Sequence, residues 1–172
     1  MAGPYRIETL NTRHDRTGFC CGVEALDRYL REQASQDVRR RVSACYLALH
    51  TATSRIAGYY TLAAGSVLLG ELPASLIKRL PRYPSIPVAR LGRLAVAVDH
   101  QGRRLGGALL WDALTRAARS EVAVVALIVD AKDDAAAAFY LHHGFTAFGA
   151  APGQMILPLQ SSNRRTRIPI NT

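Results

Sequence analysis

The segment Gln101–Ala108 (QGRRLGGA) constrains this chain more than any other stretch. It follows Leu91–Val98 (LGRLAVAV), an apolar run that reads as a buried strand. It leads into Leu105–Ala118, where Leu105, Leu109, Ala113 and Ala117 recur at helical spacing and Leu110 and Leu114 widen the apolar face. A strand, a glycine-rich turn and a helix N-terminus together make an anion site. Unpaired backbone N–H groups point out of the turn, and the helix dipole adds about half a positive charge. The ligand that suits such a site is a pyrophosphate.

Two common phosphate loops do not fit. No Lys-Ser or Lys-Thr follows the glycines, as a nucleotide P-loop requires, and glycines at 102, 106 and 107 are wrongly spaced for the dinucleotide fingerprint. The spacing instead resembles the acetyl-CoA loop of the GNAT N-acetyltransferases, Q/R-x-x-G-x-G/A. Gln101 and Gly106 match its ends, while Arg104 stands where that family prefers Gly. An L-residue there is expected to take a negative φ, as an early helical residue. Its guanidinium then adds a phosphate contact.

A second stretch has the same resemblance. Residues 123–148 read as strand (AVVALIVD), loop (AKDD), helix (AAAAFYLHH), Gly and strand (FTAFG). This is similar to the second GNAT motif, N-x-x-A-x-x-x-Y-x-x-x-G-F, with Ala136, Tyr140, Gly144 and Phe145 in register and Asp133 replacing the Asn. Tyr140 has a reading of its own. Amine attack on a thioester expels a thiolate whose thiol has a pKa near 8.5, close enough to a phenol near 10 for the phenol to pass it a proton. The alternative is a core aromatic whose hydroxyl bonds a carbonyl.

The order expected along the chain is strand Tyr5–Leu10, helix Val23–Arg41, a hairpin of Ala44–Thr51 and Arg55–Val67, and a short helix Leu72–Leu80. A rigid connector bearing Pro81, Pro84 and Pro87 follows, then the central strand, the loop and its helix, the second motif, and a last strand Gln154–Leu159. This α/β (α+β) order resembles the GNAT fold over residues 1–160 as a single domain: a mixed central sheet with splayed parallel strands, flanked by helices. Residues 161–172 read as a basic tail. The resemblance implies that acetyl-CoA is the donor. Its pantetheine arm pairs with Leu94, Ala95 and Val96, and Gln101, Arg103, Arg104, Leu105, Gly106, Gly107 and Ala108 hold its phosphates, with Asp133 and Phe139 flanking. It makes Tyr140 the general acid.

The net charge of +9 has a telling distribution. Lys78, Arg79, Arg82, Arg90 and Arg93 lie between Leu72 and Val98 with no acid among them. A donor's phosphates need only some of these cations, and the surplus fits a polyanion such as a nucleic acid. The acid-poor middle also disfavours cationic small molecules as acceptors. Lys78, Arg79 and Arg82, on a proline-flanked segment, are the stronger tRNA contacts. Arg90 and Arg93 serve either the acceptor stem or CoA, or form an ion pair at a strand edge. Trp111 reads as core or dimer contact, and His142 and His143 as solvent-facing at a helix end.

Three segments, Phe19–Leu30 (FCCGVEALDRYL), Tyr59–Val67 (YYTLAAGSV) and Val88–Val96 (VARLGRLAV), are similar to the GNAT toxins of type II toxin–antitoxin pairs. That resemblance implies acetylation of the α-amino group of charged tRNA, arrest of translation, a ribbon-helix-helix antitoxin and a homodimer. An α-amine suits this chain. It titrates near 8, against 10.4 for lysine, so it needs little help to lose its proton, and no Asp or Glu in 55–67 or 88–98 offers a base. A small-molecule or protein N-terminal acetyltransferase, or a non-catalytic acyl-CoA- or DNA-binding module, are the alternatives. The three cysteines (Cys20, Cys21 and Cys45) and the scattered histidines suggest no metal. With no membrane-length apolar run and no basic-apolar leader in MAGPYRIETL, the expected place is the cytoplasm.

Overall fold

The computed structural model describes residues 3–159; the basic tail lies outside the described residues. The strands are β1 (Tyr5–Thr9), β2 (Ala44–His50), β3 (Ile56–Leu68), β4 (Ser85–Val96), β5 (Ala126–Asp130), β6 (Thr146–Ala147) and β7 (Gln154–Pro158). They form one sheet in the order β1-β2-β3-β4-β5-β7-β6. Only β4 and β5 pair in parallel among the described residues.

Helices α1 (Glu24–Arg28) and α2 (Ala34–Arg39) are joined by one π-helical turn, Tyr29–Gln33, so the expected helix Val23–Arg41 exists with a widened middle. Short α3 (Ala74–Ile77) follows β3. Helices α4 (Leu105–Arg119) and α5 (Asp134–His142) complete the set. The apolar stripe of α4 is buried as its spacing requires: Leu105, Leu109, Leu110, Ala113 and Ala117 all face the sheet.

The proline connector is shorter than expected. Strand β4 starts at Ser85 and runs through Pro87, which stands opposite Ser66. The Pro87 carbonyl accepts the Val125 N–H at 3.0 Å, and ladder pairing with β5 begins only at Ala89, so the missing N–H falls at the end of that pairing, where it is tolerated. The strand ends at Val96, and Val98–His100 is a single 3-10 turn.

The sheet divides the core. On one face α4 and α5 cover Tyr60, Ala89, Leu91, Leu127 and Val129. The other face carries two separate clusters. One joins Tyr29, Leu30 and Ala34 to Leu47, Tyr59 and Ala95, and the other joins Leu72 and Leu76 to Val67, Val88 and Ile128. A bulge lies between them. Thr61 pairs with Arg93 but Leu62 pairs with Leu91, which leaves Gly92 as the extra residue. A Cβ at Gly92 would come within 3.0 Å of the Thr61 hydroxyl, so the close approach of the strands favours glycine. The bulge also reverses the in–out alternation of β4. Arg90, from before it, and Arg93, from after it, therefore emerge on the same face.

Candidate active site

Strands β4 and β5 form a fork. They pair only through Ala89–Leu127, Arg90–Ile128 and Leu91–Val129. Beyond that point Leu94, Ala95 and Val96 keep their β3 partners (Tyr60, Tyr59 and Gly58) but have no partner on the β5 side. Strand β5 ends at Asp130 and the chain turns away through Lys132 into α5, leaving one edge of β4 with unpaired peptide groups. A groove of about 330 Å³ runs along this edge, lined by Leu94, Val96, Gly106, Ala136, Phe139 and Tyr140. Ala95 points to the opposite face and is buried under α1, so only its backbone is available here.

The loop 101–104 follows the end of β4 and lines a second cavity that adjoins the groove at Val96, Gly106 and Phe139. The Gln101 amide donates to the Cys21 and Val96 carbonyls, each at 3.0 Å, and so ties the loop to the end of β4. Gly102 has φ +76° and Arg104 has φ +63°. Arg104 therefore does not take the expected negative φ. It occupies the left-handed region as the N-cap of α4, a conformation that costs an L-residue about 1–2 kcal/mol. No side chain caps this helix. The first intrahelical bond runs from the Ala108 N–H to the Arg104 carbonyl at 3.2 Å, so the N–H groups of Leu105, Gly106 and Gly107 remain for a ligand. Buried Leu105 anchors the helix, while Ala108 is exposed on its outer side.

Next to these donors is a cavity of about 630 Å³ lined by Gln101, Arg104, Gly106, Gly107, His142 and His143. His143 does not face solvent as expected. Its Nδ1 bonds the Phe139 carbonyl at 2.9 Å, and its Nε2 would lie 3.0 Å from a Cβ at Gly107. Gly107 thus admits the imidazole to the cavity wall. Arg103 is turned the other way, into a neighbouring cavity of about 610 Å³ with His50, Arg55 and His100. The free N–H groups, the cavity and Arg104 fit the pyrophosphate of acetyl-CoA, and the open β4 edge fits an amide-bearing arm.

Replacing Arg104 with Gly separates backbone strain from charge. The expected result is a gain of about 1 kcal/mol in unfolding free energy, with acetyl-CoA affinity weaker by about tenfold. Chemical denaturation and titration calorimetry read the two effects. Arg104→Ala keeps the strain, and it should lose affinity without gaining stability.

Helix α5 begins differently. Asp133 caps it, its Oδ1 accepting the Ala136 N–H at 2.8 Å. That residue lines the groove but spends its carboxylate on the helix. Tyr140 is 8% exposed, with the Phe139 and Phe145 rings edge-on at 5.2 and 5.3 Å. Burial alone pushes its phenol up to about 12, with no hydrogen bond contributing. The alternative of a hydroxyl tied to a carbonyl is thus not what the fold builds. The phenol lies in the groove wall beside the open β4 edge.

The cations separate into two groups. Lys78, Arg79 and Arg82 are exposed just after α3, with no ion pair among the described residues. Arg90 Nη1 donates to Asp130 Oδ2 at 2.6 Å, and the Arg93 guanidinium lies 3.5 Å over the Tyr29 ring. Trp111 is 73% exposed on α4, so it is not part of the core. Sequence reasoning missed Asp130, which sits at the carboxyl end of a parallel strand, where open sheets place their ligands. It also missed Tyr29. Among the described residues no group of three or more metal-binding side chains occurs, and no helix is long and apolar enough to cross a membrane.

A splayed parallel pair, an uncapped glycine loop and a buried phenol beside the open edge define an acyl-CoA-dependent N-acetyltransferase. The chain belongs to the acetyltransferase (GNAT) family, whose profile matches residues 20–145. It is similar to a tRNA-acetylating toxin of Mycobacterium tuberculosis, at 33% identity over 164 residues that cover 94% of this chain and 96% of the relative. Among solved structures, AtaT complexed with acetyl-methionyl-tRNAfMet aligns with a TM-score of 0.83 at 28% identity, over 90% of this chain and 94% of that one. A mutant AtaT toxin bound to the C-terminus of the antitoxin AtaR and acetyl-CoA aligns with a TM-score of 0.76 at 25% identity, over 92% and 96% of the two chains.

Proposed function

We propose that this chain is a toxin N-acetyltransferase that moves an acetyl group from acetyl-CoA to the α-amino group of aminoacyl-tRNA and so blocks translation. The observation that carries the reading is the fork: its open strand edge and buried phenol line one groove, and the glycine loop lines a cavity that shares Val96, Gly106 and Phe139 with it. The basic segment after α3 supplies the polyanion contact; a relative aligned along nearly the whole chain is a tRNA-acetylating toxin, and another, AtaT, is found complexed with acetyl-methionyl-tRNAfMet.

Acetyl-CoA supplies an electrophilic acetyl carbon and a thiolate leaving group. Free N–H groups of Leu105, Gly106 and Gly107, with Arg104, hold the phosphates. The peptide groups of Leu94–Val96 orient the arm so that its sulfur reaches Tyr140. The amine forms the new C–N bond as the C–S bond breaks. Tyr140 donates its O–H to the departing sulfur. With the phenol near 12 and the thiol near 8.5, complete transfer is uphill by itself. The proton that the acylated nitrogen sheds, relayed by water, restores the phenol and closes the balance. Lys78, Arg79 and Arg82 hold tRNA phosphates, with Arg93 nearer the fork. A cognate antitoxin neutralises the enzyme. The finer readings are a ribbon-helix-helix antitoxin, a homodimeric toxin and a cytoplasmic location.

The test is acetyl transfer from radiolabelled acetyl-CoA to total charged tRNA, with deacylated tRNA in parallel. Label on charged tRNA alone is the expected result. Label on neither, with acetyl-CoA still bound, moves the acceptor to a small molecule or a protein N-terminus.

A further inference from the structure

The groove beside β4 opens on one face of the sheet, and the fork also has an opposite face. Leu94, Val96, Ala136 and Phe139 pack against the cluster under α4 and α5, so the groove opens on that face. An amine that reaches the acetyl carbon through the fork comes from the other face, between the α1–α2 cluster and the α3 cluster.

That gap has a distinct chemistry. Alternation along β5 sets Asp130 on the same face as Ala126 and Ile128. Alternation along β4 sets Arg90 there with Ile86 and Val88, and the Gly92 bulge adds Arg93. Asp130 stands one residue beyond Val129, the last β5 residue paired with β4, so it sits where the fork opens. Its side chain is 60% exposed, yet Arg90 holds one oxygen at 2.6 Å. Its Oδ1 has no partner among the described residues. Other acids do different work: Asp37 accepts from Tyr29 and Gln33, Asp27 from the Cys21 N–H, Asp133 caps α5, and Asp134 lies beyond the fork in the first turn of that helix.

We propose that Asp130 receives the α-amino group of the acceptor at the fork, with Arg90 as the positioning residue that aims its carboxylate. This rests on the reading of the chain as an aminoacyl-tRNA acetyltransferase. Charged tRNA is a polyanion with one cationic group at its reacting end. A basic surface draws in its phosphates but repels that ammonium. A single carboxylate at the mouth of the fork offsets the repulsion. As the nitrogen loses a proton to water, a remaining N–H donates to Oδ1 and turns the lone pair toward the groove. Arg90 is then occupied by Asp130 and is no independent tRNA contact.

Asp130→Asn tests this, because the amide oxygen still accepts from Arg90 while the charge is gone. The expected result is a loss of at least tenfold in kcat/KM for charged tRNA, with acetyl-CoA Kd and Tm unchanged. Asp130→Glu should recover part of the loss. The specific readout is competition by hydroxyacyl-tRNA, in which the amine is replaced by a hydroxyl. The wild-type enzyme should bind aminoacyl-tRNA more tightly than this analogue, and Asp130→Asn should bind the two equally. Unchanged transfer by Asp130→Asn overturns the proposal, as does a preference for the amine that survives the substitution. A parallel fall in Tm and acetyl-CoA binding also overturns it, by making Asp130 structural. If wild-type enzyme labels charged tRNA and Asp130→Asn labels it equally well, this inference alone fails. If wild-type enzyme labels no charged tRNA, the substrate reading fails and takes this inference with it.

Discussion

Tyr140→Phe is expected to lower kcat for acetyl transfer by about 100- to 1,000-fold while leaving acetyl-CoA binding intact. Removing a positioned proton donor costs this much in acyl transfer, about 3–4 kcal/mol of barrier. The fold should tolerate the change, because no protein hydrogen bond to the hydroxyl contributes at the site and the ring keeps its edge-on contacts with Phe139 and Phe145. Unfolding free energy should stay within about 1 kcal/mol of wild type. The pH profile separates the roles further. An acid must be protonated to act, so activity falls as pH rises through its pKa. Burial pushes Tyr140 up to about 12, which moves that fall above the range set by an ordinary phenol near 10. The rise on the acidic side belongs to the acceptor amine, near 8 or below. Tyr140→Phe should therefore lower the plateau and leave the acidic rise in place. Pre-steady-state kinetics with saturating charged tRNA measures both. A variant that turns over within twofold of wild type removes Tyr140 from the chemistry.

The second large effect lies on the basic segment. Replacing Lys78, Arg79 and Arg82 together with Ala should weaken tRNA binding by about 100-fold at physiological salt, from roughly 1 kcal/mol for each lost phosphate contact. The slope of log K against log salt should shrink by about 2–3, because each lost contact spares nearly one released counterion. The kcat at saturating tRNA and the acetyl-CoA Kd should not move, since these side chains follow α3 and do not line the groove. An unchanged salt slope would assign the polyanion contact to another face.

The chemistry-bearing features that form contiguous patterns are legible in the sequence. The glycine loop, the stripe of α4 and the Tyr140-Gly144-Phe145 spacing depend on local periodicity, and local periodicity survives folding. The motif register sets Asp133 beside the groove, but its work as an N-cap emerges only in its bond to Ala136. Arg104 shows where local reasoning stops. Side-chain type argues against a positive φ, yet the loop takes one, because the helix start and the Gln101 tether to Val96 together determine the turn. The proline connector is shorter than its composition suggests for a related reason, since pairing with β3 draws Ser85–Val88 into the sheet.

Fold family, the glycine loop before α4 and the place of Tyr140 on α5 follow from residue order alone, because each is carried by residue types at short, fixed spacing, and the positive net charge follows from composition. Which side chains meet across the fork is a matter of three-dimensional packing. The Gly92 bulge sets Arg90 and Arg93 on one face, the parallel register brings Asp130 to Arg90, and the packing of α5 slides His143 beneath Gly107. These outcomes depend on strand register, where one extra residue turns every later side chain to the opposite face.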